Sequence, residues 1–562
     1  MARKYDGREL WVADSETDPF ELGVIPAPFI WGVYNGVDYF EFRDTNDFVD
    51  FVAAKNIVLY AHNGGKFDWH FLSHRFEVNS DLLIINGRLS RFNIGKCEFR
   101  DSYNLMPIAL EQYQKQKFDY TKMLKQFRDD HMDEIKTYLK SDCVNLFNLV
   151  YKFEESYGRH ITAASAAMNM WKVGFKNKVP RSNEVFYDTF SPFYYGGRVQ
   201  CFEYGDIQGD FVSVDINSAY PFAMLSEHPY SLSYERKDGK PRKKMEKWGP
   251  MFFAVDCIAR GCFPYRGTNK NLYFPADDET RIYFVTGWEL VAAIETGTID
   301  DFVILEHYEF DELQSFSEYV LHFWNLRKEF RAEKDKGGEI YCKLFLNSLY
   351  GKFGQDIRKY KNYTLKHKKD EPEIRMELDD GDTIQDFKEW IILAEQARQG
   401  RQMFFNLATA ASVTGFVRAM LWKAVCSAER PMYCDTDSIT AESFSSDVVI
   451  SKELGDWGIE YEYDRVVICG KKLYAMHVDG KNNGPTNWKL ASKGAKLNHK
   501  EMIKIAAGNT VHFQNIAPSF SMAKANPRFI ARDIKATASD IRTVPRRFDP
   551  KYADSVTERD SE

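Results

Sequence analysis

The chain has 562 residues, a hydrophobic fraction of 44%, a charged fraction of 28% and a formal net charge of −7. That length exceeds one ordinary core and calls for two or more domains, and the composition is that of a globular chain, neither disordered nor fibrous. The start, MARKYDGREL, has no apolar signal segment and no run of about 18 uncharged apolar residues follows, so neither secretion nor membrane spanning is expected and the expected location is a cytoplasm.

The nine cysteines are odd in number and form no C-x-x-C pair, so reduced, buried thiols are expected and a structural zinc is not. The acidic balance argues against a surface coated in nucleic acid and allows a local groove. Basic residues interleaved with aromatics recur at Arg358 to Tyr363, Leu365 to Lys369, Gly470 to Tyr474, Lys489 to Lys500 and Pro545 to Phe548. Together they suit phosphate attraction with base stacking; singly, each reads as a solvated surface.

In chain order, ELWVADSETDPF reads as a buried strand, Leu10 to Ala13, running into Asp14 and Glu16 on one face, with a turn at Asp18-Pro19. NIVLYAHNGGKFDWHFL gives an apolar strand, Ile57 to Tyr60, then Asn63 and a Gly-Gly loop, then Phe67 and Asp68 opening a helical segment. In DEIKTYLKSDCVNLFNLVYKF, residues Leu139, Cys143, Leu146, Phe147 and Val150 have helix spacing, and Tyr138 and Asp142 share a side at i and i+4. Singly these are a turn, an N-cap and a surface pair. Together Asp14, Glu16, Asp68 and Asp142 supply enough carboxylates for two divalent ions, with a tyrosine to orient water, the requirement of phosphodiester hydrolysis.

FVSVDINSAYPFAM reads as a strand delivering Asp215, followed by a helix from about Ser218 with Pro221 in its first turn. Over Tyr341 to Gly354 a helix places Lys343, Asn347 and Tyr350 along one stripe, too polar for a core and facing a ligand or solvent. Gln355 to Gln402 is dense in charge and reads as a long loop, functional or disordered. In MYCDTDSIT, Asp435 and Asp437 either share one face of a strand, where they repel unless a cation intervenes, or occupy a hairpin tip with Asx-type bonds.

The series D-x-E, N-x-x-x-F-D and Y-x-x-x-D, followed by D-x-x-S-A-Y-P, K-x-x-x-N-S-x-Y-G and Y-x-D-T-D-S, resembles the nuclease and polymerase motifs of family B DNA polymerases. The resemblance implies an α/β and α+β multidomain fold: an RNase H-like 3′-5′ exonuclease domain and a right-hand polymerase of palm, fingers and thumb. It implies that Asp215 and Asp437 hold two Mg²⁺ ions, or Mn²⁺, with Asp435 in support, and that Asp14, Glu16, Asp68 and Asp142 hold two more beside Tyr138. Lys343, Asn347 and Tyr350 would bind the incoming nucleotide, with Tyr220 as the gate against a 2′-hydroxyl. DNA contacts are implied for Asn63, Phe67, Ser102, Lys122, the Y-x-G-G residues Tyr194, Gly196 and Gly197, the template-motif residues Thr414 and Arg418, and the K-x-Y residues Lys472 and Tyr474. Ala219, Tyr103 and Val417 depart from the family's usual residues.

Compactness, with AHNGGKFD, GKKLYA and LASKGA, resembles the protein-primed subgroup of phages with linear genomes, closest to tailless membrane-containing phages. That subgroup's two protein-priming insertions imply a division into a nuclease domain at 1–160, a linker at 161–198, palm at 199–256, a priming-protein docking insertion at 257–311, and fingers at 312–354. A processivity and strand-displacement insertion at 355–402, palm at 403–500, thumb at 501–540 and a tail at 541–562 complete it. The expected partners are primer/template DNA, deoxynucleotides and a separate priming protein supplying a Ser, Thr or Tyr hydroxyl. The enzyme would be a monomer, or a heterodimer with that protein, in the host cytoplasm and off the membrane. The alternative is a 3′-5′ exonuclease with a non-catalytic DNA-binding second domain; a third reading is a non-catalytic scaffold at replication origins or in packaging.

Overall fold

The computed structural model describes residues 4–5, 7–110, 113, 117–267, 271–396, 404–478 and 487–537. The expected tail at 541–562 therefore lies outside the described residues. The first sheet is built on three parallel strands, Cys97–Asp101, Ile57–Ala61 and Arg8–Thr17, with Ile57–Ala61 buried at every position. Near-continuous apolar strands are what a parallel sheet covered on both faces requires. The helix Met132–Tyr157 covers one face with Ile135, Leu139, Leu146 and Val150, while Thr45–Ala53 and the 3₁₀ segment Asp68–Arg75 cover the other.

This sheet does not end where the first domain was expected to end. Its order runs Thr383–Phe387, Trp390–Gln396, Lys361–His367, Asp81–Ile85, Arg88–Ile94, the three parallel strands, Pro28–Tyr34 and Tyr39–Phe42. Three strands thus come from the stretch read as a charged loop at 355–402, joined where Tyr363 and Thr364 pair with Leu82 and Asp81. Leu365, Phe387, Trp390 and Ile392 enter the first core, and the Trp390 indole donates to the Ser73 carbonyl. The last six residues of the expected insertion, 397–402, lie outside the described residues.

A second sheet runs Trp488–Ser492, Leu473–Val478, Trp457–Gly470, Gly205–Ile216, Ser438–Phe444, Ala428–Asp435 and Val199–Cys201. The helices Ser317–Ala332 and Lys336–Phe353 form an antiparallel pair beside it, and the buried helix Leu407–Ser427 backs it. A four-stranded sheet of Tyr234–Asp238, Ile299–Phe310, Phe252–Ala259 and Thr280–Thr286 crosses the expected 256/257 boundary, so that boundary cuts a strand. After the helix His499–Ala506, the chain returns to the first sheet: Met522 donates to the Gly87 carbonyl and Phe520 packs on Phe67, His70 and Phe71. Eight of the nine cysteines are buried and all are free; no helix among the described residues is long and apolar enough to cross a membrane.

Because Leu365 is fully buried in the first core, Leu365→Ala is expected to cost roughly 2 to 5 kcal/mol of that core's stability. Chemical denaturation followed through the first sheet's tryptophans checks it. An unchanged midpoint would mean that the inserted strands do not contribute to this core.

Candidate active sites

Two carboxylate groups stand out, one on each large sheet. In the first, the alternation of Arg8–Thr17 puts Asp14 and Glu16 on the face covered by the helix Met132–Tyr157, which carries Asp142. Carboxylate oxygens of Asp14, Glu16 and Asp142 all lie within 4.8 Å of one another, with Glu16 and Asp142 buried. Three acidic oxygens this close in a low-dielectric setting suit a divalent cation.

Tyr138, one turn before Asp142, meets the Tyr120 hydroxyl at 3.1 Å, and burial with that bond raises its phenol pKa. Asp68, expected in the same set, stands apart from the trio. It is buried and accepts a 2.5 Å hydrogen bond from Ser15, and burial pushes its carboxyl up to about 6. Asn63 is exposed at φ 65°, with Arg88 donating to its oxygen at 2.8 Å. Phe67 sits at the joint of two 3₁₀ turns with its ring against Phe20, Phe71 and Phe520.

Two residues expected at the DNA surface do not lie there freely. Ser102 is fully buried, donating to the Ala61 carbonyl and meeting His62 Nδ1 at 3.0 Å, so it can act only by fixing that histidine. Lys122 is partly exposed but pairs with Glu134 at 2.5 Å.

At the second site, MYCDTDSIT forms a hairpin tip. Asp435 ends one strand, Ser438 opposite begins the next, and Thr436 between them has φ 64°. Asp435 and Asp437 therefore do not share a strand face; the turn presents them. Asp215 comes from the neighbouring strand, paired with Ser438, and the Ile216 amide donates to the Asp437 carbonyl at 2.9 Å. Burial and then the charge of Asp437 push Asp215 up to about 7; burial and then Asp435 push Asp437 up to about 6. Glu460, at a bulge of the strand Trp457–Gly470, adds to both shifts and pairs with Lys489 at 2.7 Å. Nothing in the alternating IEYEYD marks Glu460 out in the sequence.

The stripe on Lys336–Phe353 is as expected: Lys343 and Asn347 are exposed, Tyr350 is half-buried, and the positive field of Lys343 reaches Asp215 and Asp437. Tyr350 stacks on Tyr220 at 4.4 Å and 7°, and burial pushes the Tyr220 phenol up to about 12. Lys472 Nζ lies 3.4 Å from Asp435, its amide donates to Tyr433, and Tyr474 packs on the Tyr433 ring.

The loop from Tyr194 to Arg198 supports the tip. The Thr436 amide donates to the Arg198 carbonyl at 2.6 Å, and Thr436 fills the space beside Gly197 where a Cβ would fall 2.8 Å from its methyl. Arg266 donates to the Tyr194 carbonyl and lies over the Tyr195 ring. Arg418, expected at the template, is buried: it pairs with Glu289 at 2.7 Å and donates to the Tyr195 and Gly196 carbonyls. Thr414 is buried too, its hydroxyl spent on the Ala411 carbonyl. Both lie on buried positions of the largely packed helix Leu407–Ser427, which turns them inward. Arg198, Arg266 and Glu289 escaped the sequence reading because their partners come from distant segments.

The sequence profile "DNA polymerase type B, organellar and viral" matches residues 108–454. The DNA-directed DNA polymerase of Enterobacteria phage PRD1 is 35% identical, over 93% of this chain and 97% of its own. The DNA polymerase of Bacillus phage Nf is 24% identical, over 86% and 90%. Among solved structures, Phi29 DNA polymerase complexed with primer-template DNA aligns with a TM-score of 0.72 at 17% identity, covering 94% of this chain and 100% of that one. That likeness fixes the architecture as a nuclease domain joined to palm, fingers and thumb with insertions.

The raised carboxyls set a pH dependence. A folded-state pKa of about 6 for Asp437, against an unfolded value of ~4, means the folded protein holds the extra proton between those values and loses the associated stability as pH rises through about 6. Relative to wild type, Asp437→Asn should therefore gain thermal stability as metal-free solution is taken from about pH 4 to about pH 8. Added Mg²⁺ should shrink that gain. A stability difference flat across this range would show that Asp437 is not held protonated.

Proposed function

The chain belongs to the organellar and viral type B DNA polymerases, and on that premise we propose that it replicates a linear viral genome by protein priming and proofreads with a 3′ to 5′ exonuclease. The observation that carries the reading is the presence, in one chain, of two separate carboxylate clusters on two separate sheets. One suits synthesis and the other hydrolysis. A nuclease with an inert second domain would not need Asp215, Asp437, Lys343 and the stacked Tyr220–Tyr350 pair around one point.

The family depends on divalent metal in general, and the acidic oxygen sets fit it. Asp215 and Asp437 would hold two Mg²⁺ or Mn²⁺ ions, and Asp14, Glu16 and Asp142 two more, with Asp68 set apart from that trio on Ser15; when bound, these ions supply charge stabilisation at attacking and leaving oxygens. In synthesis the primer 3′-oxygen attacks the α-phosphorus, loses its proton to solvent and displaces pyrophosphate. Lys343 offers positive charge to the triphosphate, with Asn347 one turn along the same exposed stripe. Tyr220, braced by Tyr350, closes the space a 2′-hydroxyl would need. Lys472 and Tyr474 flank the hairpin tip where the primer end must lie. Arg418 and Thr414 serve the template indirectly, through the loop and helix they fix.

Initiation places a Ser, Thr or Tyr hydroxyl of a priming protein where the primer hydroxyl goes. The exposed face of the four-stranded sheet suits its docking: Ile282 and Val303, both about half exposed, flank Asp256 on adjacent strands. The reaction takes place in the host cytoplasm, with the enzyme as a monomer or bound to the priming protein.

An end-labelled primer annealed to a longer template, incubated with Mg²⁺ with and without deoxynucleotides, tests both activities in one gel. Wild type should extend with nucleotides and shorten without them; Asp437→Ala should only shorten. Extension by Asp437→Ala would sink the assignment. The loop gives a sharper contrast. Gly197→Ala forces the Thr436 turn aside and should slow extension roughly 10- to 100-fold, whereas Gly196→Ala, with open space at its Cβ, should not disturb the turn. Equal activity of the two would show that the turn tolerates displacement.

A further inference from the structure

Directly beyond Glu16 the chain forms a loop, 18–27, that leaves the hairpin of Arg8–Thr17 and Pro28–Tyr34 at its carboxylate end, where Thr17 pairs with Pro28. Its sequence is DPFELGVIPA. Phe20, Leu22, Val24 and Ile25 are 49%, 49%, 47% and 48% exposed. Four large apolar side chains half in water within ten residues is unusual for a loop, where polar turn formers prevail, and marks a contact surface. The loop is nonetheless well defined. Val24 closes a turn onto the Glu21 carbonyl at 3.1 Å, Asp18 is held by Arg128 at 2.5 Å, and Pro19 and Pro26 bracket it. A surface stiffened by proline loses little entropy on binding.

The surroundings indicate what is bound. Phe20 meets the edge of Phe67, the residue before Asp68, at 5.8 Å. Arg128 joins the loop's foot to the segment bearing Phe127 and Tyr120, 46% and 47% exposed, and Tyr120 touches Tyr138 beside the acidic trio. Exposed rings and aliphatic side chains thus rim the approach to Asp14, Glu16 and Asp142. Loop 18–27 has no lysine or arginine and exposes Glu21, so it offers a phosphate backbone no positive charge, whereas an unpaired base presents an uncharged π face that stacks on rings and aliphatic surface alike. Paired DNA buries those faces, so such a rim favours a frayed end over a matched one.

We propose that loop 18–27, with Tyr120 and Phe127, is the wall on which the last unpaired bases of a DNA 3′ end stack as that end reaches the Asp14–Glu16–Asp142 cluster. This rests on the reading of that cluster as a nuclease and assigns its selectivity for unpaired ends to a surface outside the acidic motifs.

The test uses the full-length protein and a single-stranded oligonucleotide with 2-aminopurine as its 3′ base, whose fluorescence reports stacking. Binding is measured in Ca²⁺ and degradation in Mg²⁺. For Phe20→Ala, and for Leu22→Ser with Ile25→Ser, the Kd and the degradation KM should rise about tenfold with kcat retained and the stacking signal reduced. Phe20→Trp should restore both, and the thermal midpoint serves as the fold control. Wild-type KM and wild-type stacking in the alanine and serine variants would overturn the wall alone, leaving the loop to a lipid or protein surface. Absence of degradation by the wild-type protein would remove the nuclease reading itself, and the wall with it.

Discussion

The hydrogen bond from the Thr436 amide to the Arg198 carbonyl holds the turn on which the second site depends. A β-branched residue at φ 64° is strained and persists only where its surroundings over-determine it. Here Gly197 leaves room for the threonine methyl, and Asp435 takes the threonine hydroxyl at 3.0 Å. Arg198 itself cannot shift: its guanidinium lies between Phe274 and Trp422 and donates to Gln200 and the Gly261 carbonyl. The buried Arg418–Glu289 pair fixes the other end of the same loop, and removing either partner would strand a charge in the core. The positions of Asp435 and Asp437 are thus inherited from arginines that touch neither.

The same arginines explain why the four-stranded sheet is no remote excursion. Gly261, Arg266, Phe274 and Glu289 all belong to it or to its connections; the first three meet the loop or the side chain of Arg198, and Glu289 holds Arg418, which bonds the loop. Its outer face is open at Ile282 and Val303, while its connections are bonded to the loop that supports the Asp435–Asp437 turn. A partner docked on the outer face, as proposed, would stand one layer of strands from that loop.

What the sequence disclosed was chemistry in the wrong place: Asp14 and Asp215 interrupt apolar runs, Asp435 and Asp437 stand one residue apart, and Lys343 and Asn347 put a polar stripe on a helix whose Tyr341, Cys342, Phe345, Leu346 and Leu349 are buried. These anomalies needed no knowledge of the fold to be seen. Orientation was another matter. Ser102, Thr414 and Arg418 occupy motif positions, yet a motif records that a residue matters and not which way it points, and all three point inward. The hairpin at Asp435 and Asp437 was one of two readings, because an Asp-Thr-Asp-Ser stretch satisfies both strand alternation and turn chemistry. The strands of the second insertion went unread because Lys361–His367 buries only Leu365 fully, too little to give a period; the apolar run Trp390–Ala394 was the available clue. Glu460 had no signal at all, since only tertiary pairing brings it to Asp215.

The joining of Lys361–His367 to Asp81–Ile85 has a consequence for how the protein is made. At the ribosome the first sheet can assemble as far as Asp81–Ile85 soon after its own residues emerge, but that strand then presents an open edge. It stays open until Tyr363 and Thr364 appear, on the order of tens of seconds later at ordinary translation rates. Met522 and Phe520 dock on this domain later still. An exposed edge strand over that interval invites pairing with neighbouring chains. Elongation rate and chaperone cover of an unfinished N-terminal half are therefore expected to weigh on its yield, and fragments ending before residue 361 would leave the Asp81–Ile85 edge unpaired.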